Sequence, residues 1–264
     1  MGTPMNIREA AVAGSFYEAD ANCLQQHVMA LLTGAHTDTP FSPQALIVPH
    51  AGYVYSGSTA AQAYRALAPR ADKIERVILF GPAHRVSLQG MAVPSVDAFA
   101  TPLGNVPLDR TRIQQAAALP GVCVSDEAHR LEHSLEVQLP FLQSVLGQFS
   151  LVPIVVGHCD AQRVAALMDT LWGGQETLLV VSTDLSHFHT YDKAVQLDTL
   201  TCDRLRAKEN TFSGEDACGA YALNGLMSTL HCRSLQVELV ALCNSGDSAG
   251  SMDRVVGYGA FIVH

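Results

Sequence analysis

The sequence lacks the segments that place a chain in or across a membrane. None of its 264 residues belong to an uninterrupted apolar run of about 18, the length that a transmembrane helix requires. The opening residues, MGTPMNIREAAVAGSFYEAD, contain no basic segment followed by an apolar one, as a secretory signal peptide would. We therefore expect a cytoplasmic protein with no membrane partner.

Basic residues and paired cysteines are also scarce. The 16 lysines and arginines are outnumbered by 25 acidic residues, giving a formal charge of −9, which argues against nucleic acid as a partner. The seven cysteines are scattered and form no CxxC pair, so neither a disulfide framework nor a zinc knuckle is indicated. The phosphate-binding patterns GxxxxGK(S/T) and helix-opening GxGxxG are absent, which argues against nucleotide binding.

What the sequence does contain is an alternation of short apolar runs with helical patterns. The apolar runs are ALIVP (45–49), RVILFG (76–81), LVPIVVG (151–157) and TLLVVS (177–182). Helical patterns follow most of them, and the alternation predicts a mostly parallel sheet covered on both faces. We expect one α/β domain over residues 1–264, with a mixed central sheet flanked by helices.

Further elements are expected between and after these runs. SLQGMAVPS, LQVELVAL and RVVGYGAFIV predict additional strands, some of them antiparallel at an edge of the sheet. Apolar residues at helical spacing predict helices at about 133–146 and 218–231, and a long helix that begins near Tyr191.

Polar residues recur just beyond the apolar runs. His50 follows ALIVP, His84 follows RVILFGPA, and Asp184 and His187 follow TLLVVS. Since the carboxyl ends of parallel strands border the ligand crevice of an open α/β sheet, we expect these residues to converge. Imidazole is the commonest protein ligand for iron, zinc and copper, and two histidines with a carboxylate leave positions open for substrate or dioxygen. Capping of a helical turn by Asp184 is the alternative for that residue.

Two other segments carry candidate residues. DEAHRLEHSLEVQLPF spaces His129, His133 and Glu136 so that they share one helix face, although an amphipathic helix gives the same pattern. We expect His133 and Glu136 to lie behind the metal ligands and orient them.

The loop CNSGDSAGSMD follows a predicted strand and is expected to bring Asp247 toward the crevice. The alternative is that this loop is simply a turn.

PHAGYVYSGS, GPAHR, TPLG, DEAHRLEHSLEVQLPF, STDLSHF and GYGAFIVH occur in this order at suitable spacing. With these segments the chain resembles the Memo family from about Ala11 to the C-terminus. The resemblance implies a single domain like that of the class III extradiol dioxygenases, which use non-haem iron to open catechol-type rings. It also implies a pocket formed by His50, His84, Asp184 and His187, the residues that the strand ends select.

The resemblance does not decide which residue is the third metal ligand. Eukaryotic members carry a cysteine ligand in the last loop, whereas alignment on GYGAF puts Gly250 or a neighbour at that place. We expect Asp247 to replace it, with His187 next and Cys243 third.

The function expected from these features is that of a metal-dependent oxidoreductase. His50 and His84 hold Fe(II), with zinc and copper as alternatives, and Asp184 and His187 are the catalytic groups. A metal-dependent hydrolase and a non-catalytic metal- or peptide-binding module are the alternatives. The expected partner is a small molecule or a peptide, and the resemblance adds partner proteins of a radical-SAM pathway.

Overall fold

The apolar runs of the sequence form strands, and the α/β prediction is confirmed. The structure is a computed structural model that describes residues 5–36 and 39–264. Its strands are β1 (Ile7–Arg8), β2 (Ala45–Val48), β3 (Arg76–Pro82), β4 (Met91–Val93), β5 (Ala98–Thr101), β6 (Gly104–Pro107), β7 (Val122–Val124), β8 (Ser150–Val156), β9 (Thr177–Ser182), β10 (His187–His189), β11 (Val237–Asn244) and β12 (Val255–Val263).

Four parallel strands make the centre of the main sheet, in the order β2, β9, β3, β8. Every residue of β2 and β9 is buried, because helices cover both faces of this part of the sheet. Antiparallel strands extend it on both sides: β12 pairs with β2 and carries β10 and β11, while β4 pairs with β8. The sheet is therefore mixed, as predicted, and its parallel centre puts three strand ends side by side.

The helices are α1 (Ala21–Gly34), α2 (Tyr53–Arg65), α3 (Arg110–Ala117), α4 (Asp126–Arg130), α5 (His133–Glu136), α6 (Leu139–Val145), α7 (Ala161–Leu171), α8 (Tyr191–Arg206) and α9 (Ala220–Leu230). The predicted helices near Tyr191 and at 218–231 are confirmed as α8 and α9. No helix within the described ranges is long and apolar enough to cross a membrane.

The segment from 126 to 146 differs from the prediction. A continuous helix at 133–146 is wrong, because Pro140 has no N–H to bond to the carbonyl of Glu136 and the chain restarts as α6. The shared helix face of His129 and His133 is wrong as well. Glu132 is extended between α4 and α5, where its side chain caps α5 by accepting the N–H of Ser134.

A buried ion pair fastens the N-terminal segment to α5. Arg8 and Glu136 are 6% and 0% exposed, and their side chains meet at 2.6 Å. Glu136 also accepts the N–H groups of Ala11 and Val12 and the hydroxyl of Tyr17. Arg8 donates to the carbonyls of His129 and Glu132, so one guanidinium holds both ends of the break between α4 and α5. This network fixes the position of His133.

We expect Glu136→Gln to destabilise the protein by about 3–5 kcal/mol, because it leaves the Arg8 charge buried without a counter-charge. Denaturant unfolding followed by circular dichroism measures this loss. Glu127→Gln is the matched control, since the exposed pair of Glu127 with Arg130 should contribute no more than about 1 kcal/mol. Equal losses in the two variants would contradict the role given to the Arg8–Glu136 pair.

Candidate metal centre

Three histidine rings meet where the parallel strands end. His50 lies two residues beyond β2, His84 lies two residues beyond β3, and His133 begins α5. One potential ligand atom from each ring lies within 4.8 Å of those of the other two, and within the described ranges this is the group found to suit a metal ion. The ring centroids are 5.2 Å (His50–His84), 5.4 Å (His50–His133) and 4.7 Å (His84–His133) apart.

A glycine lets α5 come this close to the strand end. A Cβ atom on Gly81 would lie 2.7 Å from Oγ of Ser134 and 2.8 Å from Cδ2 of Leu135. In the space that this leaves, the Ser134 hydroxyl donates to the carbonyl of Pro82 at 3.0 Å. The contact ties the residue after His133 to the strand that leads into His84.

Hydrogen bonds from behind fix the tautomer of His50. The hydroxyl of Ser182, at the end of β9, donates its proton to the carbonyl of Ser134 at 2.6 Å. Its oxygen is therefore the acceptor for Nδ1 of His50 at 2.9 Å, and Gln138 donates to the same oxygen at 2.8 Å. Nδ1 thus carries the ring proton, and Nε2 keeps a free electron pair with which to bind a metal.

A buried carboxylate does the same for His84. Glu132 is 1% exposed and accepts both the main-chain N–H of His84 at 2.6 Å and its Nδ1 at 2.9 Å. Burial alone would raise the pKa of Glu132, but the hydrogen bonds from His84 and Ser134 outweigh it and lower that pKa to about 2. An ionised carboxylate only accepts, so His84 carries its proton on Nδ1 and Nε2 is free.

The third ring has an unpaired nitrogen. Nδ1 of His133 is buried and has no hydrogen-bond partner among the described residues, although it lies 3.4 Å from Oε1 of Glu132. A buried polar atom left without a partner costs about 1–3 kcal/mol. Burial also lowers the pKa of His133 to about 4, which keeps the ring neutral and able to bind a metal.

The carboxyl group of Asp184 lies close to both the main chain and the ring of His50. Its Oδ1 accepts the main-chain N–H of His50 at 2.8 Å, and its Oδ2 lies 3.9 Å from Nε2 of the same residue. Burial raises the pKa of this carboxyl to about 7. The side chain holds the turn after β2 and also places a carboxyl group next to the ring cluster.

His187 lies near the cluster but outside the group of mutually close ligand atoms. It opens β10, which pairs with β12 opposite Val256. Burial lowers the pKa of His187, and burial also lowers the pKa of His50. The ring is only partly buried, so it borders the site on an accessible side.

The last loop is arranged as a turn. Oδ2 of Asp247 accepts the N–H of Asn244 at 2.8 Å, and its Oδ1 accepts the hydroxyl of Tyr191 at 2.6 Å. Cys243 faces Thr59, with 2.8 Å between Sγ and Oγ1. Neither residue belongs to the ligand group, since both side chains are engaged locally. His133 belongs to the cluster of mutually close ligand atoms and Asp247 does not. Glu136, in the same short helix as His133, is paired with Arg8.

Sequence reasoning missed three residues of the site. Glu132 directly precedes His133 and Ser182 ends an apolar run, so both stand beside residues that were selected. Cys218 gives no such signal, because it opens a helical pattern that is distant along the sequence from the other site residues. Its Sγ lies 3.3 Å from Nε2 of His50 and accepts the main-chain N–H of Asp184.

Comparison with known proteins gives the family. The model of the Memo family, described as Memo-like protein, matches residues 8–262. The chain belongs to the Memo family. A MEMO1 family protein of Aquifex aeolicus is 35% identical, with 96% of this chain and 98% of the relative covered. A MEMO1 family protein of Thermoplasma volcanium is 31% identical over 97% and 98% of the two chains.

A solved structure, that of an uncharacterised protein of Escherichia coli K12, aligns at 15% identity with a TM-score of 0.48, covering 83% of this chain and 98% of that one.

The donor set of this Memo family protein fits a transition metal ion. Two rings have their protons held on Nδ1 by hydrogen-bond partners, and the third has a buried nitrogen with no partner in the part of the chain that the structure describes. Neutral imidazoles held in this way bind iron, zinc or copper. A three-histidine site able to bind a metal is therefore present, and its donors alone do not select among these ions.

Burial of a further histidine, His129, makes the stability of the protein sensitive to acid. Burial lowers the pKa of His129 from 6.5 to about 4, and this ring is 2% exposed. The unfolded chain then binds a proton that the folded chain excludes, so stability is lost as pH falls from 6.5 toward 4. We expect His129 alone to remove about 2 kcal/mol from the free energy of unfolding between pH 7 and pH 5.

Urea unfolding of metal-free protein at the two pH values measures this. His129→Gln should lose correspondingly less stability than the parent protein, whereas His231→Gln, a change at an exposed ring, should behave like the parent. The same loss in the parent and in His129→Gln would contradict the assignment.

Proposed function

We propose that this Memo family protein is a metal-dependent oxidoreductase in which His50, His84 and His133 bind Fe(II). The observation that carries the proposal is the set of three histidine rings, whose ligand atoms lie within 4.8 Å of one another. Three protein ligands leave coordination positions free for a substrate and for dioxygen. When bound, the ion supplies Lewis acidity and the one-electron chemistry that dioxygen requires.

The chain's own groups perform orientation and proton transfer. Ser182 and Glu132 hold the rings of His50 and His84 from behind, so the free Nε2 atoms keep their direction without help from substrate. In this proposal, His187 and Asp184 take a proton from a substrate hydroxyl and return it. A bidentate, catechol-type small molecule suits such a site better than a large polymer.

Access is on the side of His84 and His187. The side chain of His84 is 30% exposed, while His50 is 1% exposed and forms the inner wall. A substrate entering from this side would reach the free ring nitrogens and His187 together. The acid–base role therefore falls first to His187, with Asp184 deeper in the site.

Metal-dependent hydrolysis is the second candidate. Three histidines without a carboxylate in the ligand group form a donor set that catalytic zinc uses, with bound water as the nucleophile. The two candidates share the ligands and differ in the metal and the substrate.

We expect protein purified anaerobically without a histidine tag to contain about one metal ion per chain, since three neutral ligands form one site. His84→Ala and His133→Ala should lose it. His158→Ala is the matched control, because His158 is exposed and its ring lies outside the cluster, where Nδ1 bonds to the hydroxyl of Tyr221. Glu132→Gln should weaken metal affinity about 10–100-fold by freeing the ring of His84.

Elemental analysis and competition with a chelator measure these quantities, and circular dichroism checks folding. A folded parent protein that binds no iron, zinc or copper would overturn the metal site. Metal retained in folded His84→Ala and His133→Ala together would overturn these ligands.

We expect Fe(II)-loaded protein to consume oxygen with at least one member of a panel of catechol-type substrates. His187→Gln should keep its metal and lose about 10²–10⁴-fold in kcat, as removal of an acid–base group does. An oxygen electrode and product analysis measure the turnover, with His158→Ala again as control. Ester or amide hydrolysis by Zn(II)-loaded protein without oxygen uptake would replace this proposal with the hydrolase.

A further inference from the structure

A cleft lies beside the break between α4 and α5. Its volume is about 480 Å³, and it is lined by the N-terminal segment 6–11, the loop 94–96 and the chain at 126–131. None of the three clustered histidines, nor Asp184 or His187, lines it. A cleft of a few hundred cubic ångströms is large enough for a small organic ligand.

One residue of the cleft wall, His129, has a buried ring nitrogen that lacks a hydrogen-bond donor among the described residues. Nε2 of His129 lies 3.0 Å from the carbonyl oxygen of Ala92, which can only accept, so Nε2 carries the ring proton. Nδ1 is then an acceptor, and no described residue donates to it although it is buried. Burial holds the pKa of His129 near 4, which keeps this atom unprotonated at neutral pH. A ligand with an N–H or O–H group would satisfy it.

The charge around the cleft is negative. Three carboxylates, of Asp126, Glu127 and Glu9, line it together with the guanidinium groups of Arg8 and Arg130. Arg110 lies beside the cleft, because it donates to the carbonyls of Ser95 and Val96. Glu127 forms the ion pair with Arg130, and Asp126 accepts from the N–H and hydroxyl of Ser95. No partner for the carboxylate of Glu9 is found within the described ranges. Arg8 adds no free charge, since its guanidinium is buried against Glu136.

The remaining walls are apolar. Ile7, Ala10, Val96 and Leu131 line the cleft, and Leu131 is 47% exposed. Burying such surface under a ligand is favourable by roughly 25 cal/mol for each Å². The cleft thus combines an apolar floor, one unpaired acceptor and a free carboxylate.

We propose that this cleft is a binding site for a small organic amine, whose ammonium group faces Glu9, whose N–H can bond to Nδ1 of His129, and whose apolar body covers Leu131. The site is separate from the metal centre and does not depend on its activity. A carboxylic acid of the same shape is repelled by the surrounding acidic residues. A neutral alcohol satisfies His129 but gains nothing from Glu9.

Three probes of matched shape test this: phenethylamine, 2-phenylethanol and phenylacetate, each titrated into the full chain by protein-observed NMR. We expect phenethylamine to bind most tightly and phenylacetate not at all.

Glu9→Gln should weaken amine binding about 3-fold, as loss of an exposed ion pair does, and leave alcohol binding unchanged. Ala10→Phe, which fills the cleft from an accessible position, should abolish binding of both. Metal content should be the same in all variants.

The long-range ¹⁵N resonance of His129 Nδ1 gives a readout that a merely structural role would not move. We expect it to shift when the amine or the alcohol is added, because the atom gains a donor. Equal binding of amine and carboxylate would overturn the proposal, as would amine binding that is unaffected by both Glu9→Gln and Ala10→Phe.

Discussion

The carboxylate of Glu132 is the interaction on which the arrangement of the metal centre depends. It is buried, it accepts two hydrogen bonds from His84, and it accepts the N–H of Ser134 at the start of α5. One side chain thereby sets the ring of His84, begins the helix that carries His133 and supplies negative charge beside both. Such a carboxylate is stable in the interior only because its hydrogen bonds with His84 and Ser134 compensate its desolvation.

The surrounding structure serves to hold that segment in place. Arg8 bonds to the carbonyl of Glu132 and pairs with Glu136, so the N-terminal segment clamps α5 from outside. Gly81 allows the same helix to rest directly on the end of β3. Ser182 joins the third strand end by bonding to both His50 and Ser134. Rigid strands and a clamped helix are the kind of support that keeps metal ligands in a fixed geometry.

Local patterns were enough to predict the sheet and two of the three rings. Continuous apolar runs mark the buried parallel strands, and a histidine just beyond such a run lies at the ligand-binding edge, as His50 and His84 do. The position of the third ring, His133, depends on a break in the helix that the spacing of apolar residues does not reveal. The spacing of His129 and His133 predicts one helix, but the extended Glu132 turns the two rings to different sites.

The last loop shows how tertiary contacts can engage a residue that its position in the sequence makes a candidate ligand. Asp247 follows a strand, which made it a reasonable candidate for the metal, yet its carboxylate closes a capping box with Asn244 and binds Tyr191. Hydrogen-bond competition of this kind is decided by tertiary contacts and not by position along the chain.

Anomalous diffraction from crystals of the metal-loaded protein, recorded above and below the absorption edge of the bound metal, tests the central claim most directly. We predict one strong peak at about 2.0–2.2 Å from a nitrogen of each of His50, His84 and His133, with Glu132 still bonded to His84. A peak coordinated by Asp247 or Cys243, or metal-loaded crystals without a peak between the three rings, would contradict the account.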